Sequence, residues 1–221
     1  ESFLFILANE KQALKLYKID LQNLNDTGLT FKVYLDLKAS VGATFDPATG
    51  LSTFTSPYGA RTGLVAVDIT NGVKHTATNT TGSTYTIPAN VTNLFIGVPF
   101  TSTYVMSPQF VREDTGRGRL AISSGRYQIR TITFDFADTG FFKVEVTPKG
   151  RDKATTEMTG YILGEATSLI DAPPIISGNL RVPIQARNTD VDVQIISDSH
   201  LPVHLTQAEV EGFYHRRSRR I

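Results

Sequence analysis

The sequence has no cysteine and no tryptophan among its 221 residues. Without thiols there is no disulfide framework, no Cys-ligated zinc, no iron–sulfur cluster and no thiol nucleophile, and a thiol-free chain suits either redox compartment. An excess of charge of one sign is lacking too. Twenty-two Lys and Arg face 21 Asp and Glu, a formal net charge of +1, so no global field draws in nucleic acid or an anionic membrane. No apolar run approaches the roughly 18 residues that a membrane span needs. Nucleophile and phosphate motifs are missing: there is no Gly-x-Ser-x-Gly elbow and no Walker loop, and Gly116-x-Gly118 is not followed by a glycine three places on. The first residues, Glu1-Ser2-Phe3-Leu4-Phe5-Ile6-Leu7, hold no initiator Met, basic n-region or cleavage site. They read as the middle of a strand, which predicts a piece of a longer protein.

What is present is strand periodicity. Phe31, Val33, Leu35 and Leu37 alternate with Lys32, Tyr34, Asp36 and Lys38, and the same period of two recurs at Phe142–Val146, Leu180–Ile184 and Val191–Ile195. Turn signals punctuate these runs at Asn25–Gly28, Asp46–Gly50, Asn71-Gly72, Asp138–Gly140 and Ser177-Gly178-Asn179. About a dozen short strands separated by such turns predict an all-β protein of sandwich- or barrel-like domains. Helix signals are sparse. Thr206-Gln207-Ala208-Glu209 has the form of a capping box, but Gly212 follows closely, so a turn between strands fits equally. Leu163–Ala172 reads as a short helix or a loop, with Pro173-Pro174 stopping either.

Three segments follow. Residues 1–24 form an apolar hairpin that cannot bury its own face and needs further strands. Residues 25–115 form a Thr-rich β-domain. A charged, glycine-bearing link at Arg112–Arg119 leads into a C-terminal β-domain, residues 116–221, with a basic tail.

The candidates for chemistry are few, and each has a structural alternative. His200 and His204 have the spacing of a helix face, but Pro202 argues for an extended chain, where residues four apart lie about 13 Å apart, too far to share a metal. Two polar positions on one strand face is the simpler account. Asp190 and Asp192 on one strand face would lie roughly 6–7 Å apart, a separation that suits a glycosidase pair. The wet face of a strand gives the same pattern without chemistry. No metal or cofactor site is expected. Asn25, Asn79 and Asn90 head Asn-x-Thr sequons, which matter only in a protein secreted by a eukaryote. The basic ending stands out: Arg216, Arg217, Arg219 and Arg220 leave 18 basic residues against 21 acidic in the rest of the chain. Four guanidiniums so close suit phosphates, or carboxylates on a protein partner; a solvated tail is the bland alternative. No aromatic interleaves with the run to stack bases.

The order of the segments carries a resemblance. Phe3–Asp20, Phe31–Lys38, Ser52–Gly59, Asn93–Phe100, Phe110-Val111-Arg112, Gly118-Arg119-Leu120 and Gly140–Val144 come first. Gly178–Ile184, Val193–Asp198, Leu201–Leu205 and the ending Glu211-Gly212-Phe213-Tyr214-His215-Arg216-Arg217-Ser218 follow in one line. Each piece is short, but their collinearity spans nearly the whole chain, which resembles the C-terminal part of the tail tubular protein B, or nozzle, family of autographivirus-type podophages. Arg219-Arg220 extends beyond the family's pattern, and its Cys and Trp positions are unfilled here, so no role for the extra arginines is inherited.

The resemblance implies a structural, non-enzymatic virion protein of the phage tail. It implies a homohexameric ring that continues the DNA-ejection channel, contacts a tail adaptor protein and a tail fibre protein, and meets double-stranded DNA transiently and non-specifically. It also implies that residues 1–24 are the last hairpin of an upstream β-propeller. Beside it stand a carbohydrate-active or carbohydrate-binding β-protein, from Asp190 and Asp192, and a DNA-contacting module, from the C-terminal arginines.

Overall fold

The structure is a computed structural model that describes residues 3–10, 13–20, 25–116, 118–122, 125–161 and 172–216. In chain order its strands are β1 (Phe3–Glu10), β2 (Ala13–Asp20), β3 (Asp36–Gly42), β4 (Thr44–Asp46), β5 (Leu51–Thr55), β6 (Val65–Asp68), β7 (Lys74–Thr76), β8 (Thr78–Thr81), β9 (Thr84–Ile87) and β10 (Asn93–Val98). There follow β11 (Ser102–Val105), β12 (Arg112–Thr115), β13 (Gly118–Ala121), β14 (Arg126–Thr139), β15 (Phe142–Pro148), β16 (Ala154–Met158), β17 (Ile176–Arg187), β18 (Val191–Ser197) and β19 (Leu205–His215). The described residues contain no helix, and the chain is all-β as the periodicity predicts.

Four sheets form two sandwiches, and every ladder is antiparallel. Sheet 1, ordered β3-β10-β6-β7, faces sheet 2, ordered β4-β5-β9-β8. Their shared core holds Phe54, Leu64, Ala66, Tyr85, Ile87, Leu94 and Ile96. Sheet 3, ordered β11-β18-β15-β16, faces sheet 4, ordered β17-β14-β19. Here Phe134, Phe136, Phe142, Val144, Val182, Ile184, Val193 and Ile195 interdigitate, with the Phe136 and Phe142 rings edge to face at 5.6 Å. These are the alternating positions read from the sequence, turned inward by the period of two. β11, which precedes residue 115, is hydrogen-bonded to β18 and so lies in sheet 3.

A third apolar cluster joins the sandwiches. Phe31, Val33 and Leu35, which precede β3, pack with Val65, Val67 and Phe95 of the outer face of sheet 1 and meet Leu201, Phe141 and Ile175 of the second sandwich. Asp26 holds the segment that supplies the first three. Its Oδ2 accepts from the Val33 N–H at 2.6 Å, and Lys38 Nζ donates to its Oδ1 at 2.7 Å.

Some local expectations change. Phe31, Val33 and Leu35 are buried as expected, but the ladder begins only at Asp36. Leu37 takes φ +53° and, with Lys38, bulges opposite Gly97, so the alternation stops there. Gly97 is where that bend needs a glycine: a Cβ would lie 2.7 Å from Leu35 Cβ and 2.8 Å from the Asp36 carbonyl oxygen. Ser177-Gly178-Asn179 is no turn but part of β17, with Gly178 opposite Phe136. Thr206–Glu209 lies within β19, because pairing along β14 outweighs a local cap. The charged link at Arg112–Arg119 is the β12–β13 hairpin. Leu163–Ala172 lies outside the described residues except for Ala172.

Candidate functional site

The predicted acid–base candidates do not converge. Asp190 sits in the turn before β18, where its N–H donates to the Arg187 carbonyl at 3.0 Å, while Asp192 lies exposed on the strand opposite Thr147. The Asp190 carboxylate accepts from the Thr189 hydroxyl at 3.4 Å, and its carbonyl accepts from the Lys149 N–H at 2.8 Å just beyond the β15–β18 ladder. The described residues contain no group of three or more His, Asp or Glu that could hold a metal ion. A small cleft lined by Met106, Gln109, Ile129, Asn188 and Val191, among others, has no ionisable side chain.

His200 and His204 do not share a strand face; both lie in the loop between β18 and β19, which Pro202 keeps from continuing a ladder. His200 is buried, 6% exposed, at the contact between the sandwiches. Its backbone carbonyl accepts from the Tyr34 N–H at 2.9 Å. Its Nε2 lies 2.9 Å from the Gly72 carbonyl oxygen. A carbonyl only accepts, so Nε2 carries the proton and Nδ1 presents its lone pair. Nδ1 has no partner among the described residues. Burial foremost, with the charge of Lys74 adding to it, pushes the imidazole pKa down to about 4 against the opposing bond to Gly72. The loop is tied to its own sandwich as well: the Gly140 N–H donates to Pro202 O at 3.0 Å, and the His204 N–H donates to Thr139 Oγ1 at 3.0 Å. His200 thus ties the β18–β19 loop to the first sandwich through Tyr34 and Gly72.

The basic ending acquires company. Arg216 is exposed at the end of β19; Arg217, Arg219 and Arg220 lie outside the described residues. The register of sheet 4 sets Arg126 opposite His215, and Gln128 opposite both Arg187 and Phe213. Residues two apart on a strand share a face, so Arg126, Gln128, Arg187, Phe213 and His215 share the outer face at one end of the sheet. Arg126 Nη2 donates to Gln128 Oε1 at 3.1 Å along that face. Phe213 is 60% exposed among them. Farther along, Glu211 lies 3.5 Å from Arg130 and 2.9 Å from Arg181. The Thr131 hydroxyl bonded to it, helped by these two cations, holds its carboxyl below the usual range. The linear sequence points to the terminal run but not to Arg126 and Arg187, whose place on one face with His215 depends on a register between distant strands.

The third surface is apolar. The β1–β2 register places Leu4 opposite Ile19 and Ile6 opposite Tyr17 on one face, with Phe5 opposite Lys18 and Leu7 opposite Leu16 on the other. Leu4 is 46% and Ile6 42% exposed on the first face, Phe5 58% and Leu7 65% on the second. A hairpin that is apolar on both faces has the composition of strands covered by a layer on each side. No helix among the described residues is long and apolar enough to cross a membrane.

Comparison with known proteins gives one positive result. The family model described as bacteriophage nozzle protein matches residues 1–221. No curated protein matches the chain.

Proposed function

We propose, for a chain that belongs to the bacteriophage nozzle protein family along its whole length, a specific role within that setting. As a member of the family it is a structural component of the phage tail and is located in the virion. The finer reading is that six copies form a ring that continues the DNA-ejection channel below the adaptor ring and helps to seat the tail fibres. Its work on this reading is mechanical rather than catalytic. The match over residues 1–221 carries the proposal.

Two physical features support it. The β1–β2 hairpin exposes apolar side chains on both faces, which suits the last hairpin of an upstream propeller blade, covered before and behind. The two sandwiches share an apolar cluster rather than hanging from a bare linker, which suits a stiff wall in a permanent assembly. Obligate interfaces are large and partly apolar, and exposed Tyr104, Val105 and Leu120 are available for burial between subunits.

Image reconstruction of the intact particle tests the reading, with the chain located by a tag. A six-fold ring at the end of the tail is the expected result. A full-length protein that stays monomeric and sits elsewhere in the virion would overturn it.

A further inference from the structure

We infer that copies of this chain join head to tail, the apolar face of the β12–β13 hairpin of one copy covering the open flank of the second sandwich of the next. The chain carries both halves of this contact: a hairpin that lacks a cover and a core that lacks an edge.

The hairpin is the donor. β12 and β13 pair with each other and, among the described residues, with no other strand. Neither contributes to an apolar core cluster. The register sets Glu113 opposite Leu120, and one step beyond Arg112 the Ile122 N–H donates to the Val111 carbonyl at 2.8 Å. Val111, Leu120 and Ile122 therefore share one face with Glu113, while Arg119 and Asp114 on the other face satisfy each other at 2.9 Å. Leu120 is 63% exposed. A lone two-stranded hairpin is marginal in water, and this one has its apolar face bare.

The flank is the acceptor. β17 lies against β15 across the second sandwich, where Arg151 Nη2 donates to the Gln185 carbonyl at 2.8 Å. Met106 prolongs β11, its N–H donating to the Val193 carbonyl at 2.9 Å, and shares a small cleft with Ile129 and Ile132 of β14. The order β15-β18-β11 in sheet 3 therefore runs in step with β17-β14-β19 in sheet 4, and β11 and β19 end the two sheets on one flank. Core positions there are open. Tyr104 stands opposite the core residue Ile195 yet is 64% exposed, and Ala208 stands opposite Phe134 yet is exposed. The other edge of sheet 4 is guarded: in β17, Pro183 offers no N–H and Gln185 at φ +47° breaks the extended backbone. β19 has no proline along its 11 residues, and β11 carries no charge.

A second copy is the occupant because each surface supplies what the other lacks. Charge agrees: Arg112 at the base of the hairpin and Glu209 on β19 are exposed, opposite in sign and without an ion-pair partner among the described residues. Two different surfaces meeting head to tail make a heterologous contact, which closes into a ring when the rotation allows. The inference deepens the ring reading and rests on it for the number of copies.

The absence of cysteine makes the test direct. Leu120→Cys and Tyr104→Cys, both at exposed positions, are made in separate 221-residue chains and mixed with a short bis-maleimide. A cross-linked dimer should form in the mixture and with neither variant alone. Thr53→Cys, exposed on sheet 2, takes the place of Tyr104→Cys as a control and should give none. Leu120→Asp should weaken self-association about tenfold or more in sedimentation velocity, with the urea midpoint unchanged. A dimer of Tyr104→Cys alone would mean β11 meeting β11 across a two-fold axis and overturns the proposal. So does a mixture that cross-links no better than the control, or self-association untouched by Leu120→Asp. A six-fold ring without the mixed cross-link sinks the inference and leaves the ring reading standing. The mixed cross-link in open chains, or in another number of copies, does the reverse.

Discussion

Acid should weaken the contact between the two sandwiches, and His200 is the group through which it should act. Its imidazole is neutral in the folded chain, with Nε2–H on the Gly72 carbonyl and Nδ1 facing no donor. A proton added at Nδ1 would create a buried cation with one unsatisfied N–H. The cation Lys74 on β7 bears on the ring and adds to the cost of that proton. The folded pKa is about 4 against an ordinary 6.5. Because the folded value is the lower one, the unfolded chain binds the proton first. Stability from this group is complete above about pH 6.5, falls as pH drops toward 4 and is flat below. At 1.36 kcal/mol per unit, the loss is on the order of 3 kcal/mol. Urea denaturation of the wild-type chain and His200→Gln at about pH 7.5 and about pH 4 measures it. Gln keeps an N–H donor for Gly72 and does not titrate, so carboxylates common to both proteins cancel in the comparison. The wild type should lose on the order of 3 kcal/mol more than the variant across that interval. Parallel losses in the two proteins would refute the reasoning.

Three further outcomes test the packing. Gly97→Ala should cost about 1–3 kcal/mol by forcing Leu35 or the Asp36 carbonyl aside, read as a lowered urea midpoint. Phe142→Ala empties a fully buried site beside Phe136 and should cost about 3–5 kcal/mol in the same assay. Tyr85→Phe removes a hydroxyl that accepts from the Arg61 N–H at 2.5 Å and donates to the Arg61 carbonyl at 2.9 Å. The ring itself keeps its stack on Phe54, so the expected loss is about 1–2 kcal/mol, with faster amide exchange at Arg61.

What the sequence made legible was local and periodic. Phe142, Val144 and Val146 face inward because a strand's period is two, and the Asp46–Gly50 turn forms because Asp46 bonds Ala48 N–H and Thr49 hydroxyl while Gly50 takes φ +70°. Non-local competition hid the rest. Ser177-Gly178-Asn179 carries turn chemistry, yet pairing with Phe136 holds it in β17. The Thr206–Glu209 cap loses to a ladder with β14 that local propensity cannot see. Leu37 looks like the next inward residue, but a bulge opposite Gly97 turns the chain there. Register also decides which distant side chains meet: Arg126 and Arg187 come onto one face with His215 and Phe213 only through the pairing of β14 with its two neighbours. His200 stood out for metal spacing, and its actual role depends on Gly72, which lies 128 residues away in sequence.

Sheet 1 explains why one histidine should matter to the whole chain. An antiparallel sheet usually leaves one face to water, but all four residues of β6 are buried. Ala66, Leu94 and Ile96 point into the first sandwich, while Val65, Val67 and Phe95 point toward Leu201 and Phe141 of the second. The sheet is therefore a shared middle layer, and the two sandwiches cannot separate without exposing one of its faces. Apolar contact supplies most of that adhesion but little direction. Direction comes from hydrogen bonds across the junction, and His200 makes two of them, from its carbonyl to Tyr34 and from its ring to Gly72. The docked layer is fixed in angle by these directional bonds, and the buried, neutral imidazole keeps that angle fixed for as long as it stays unprotonated.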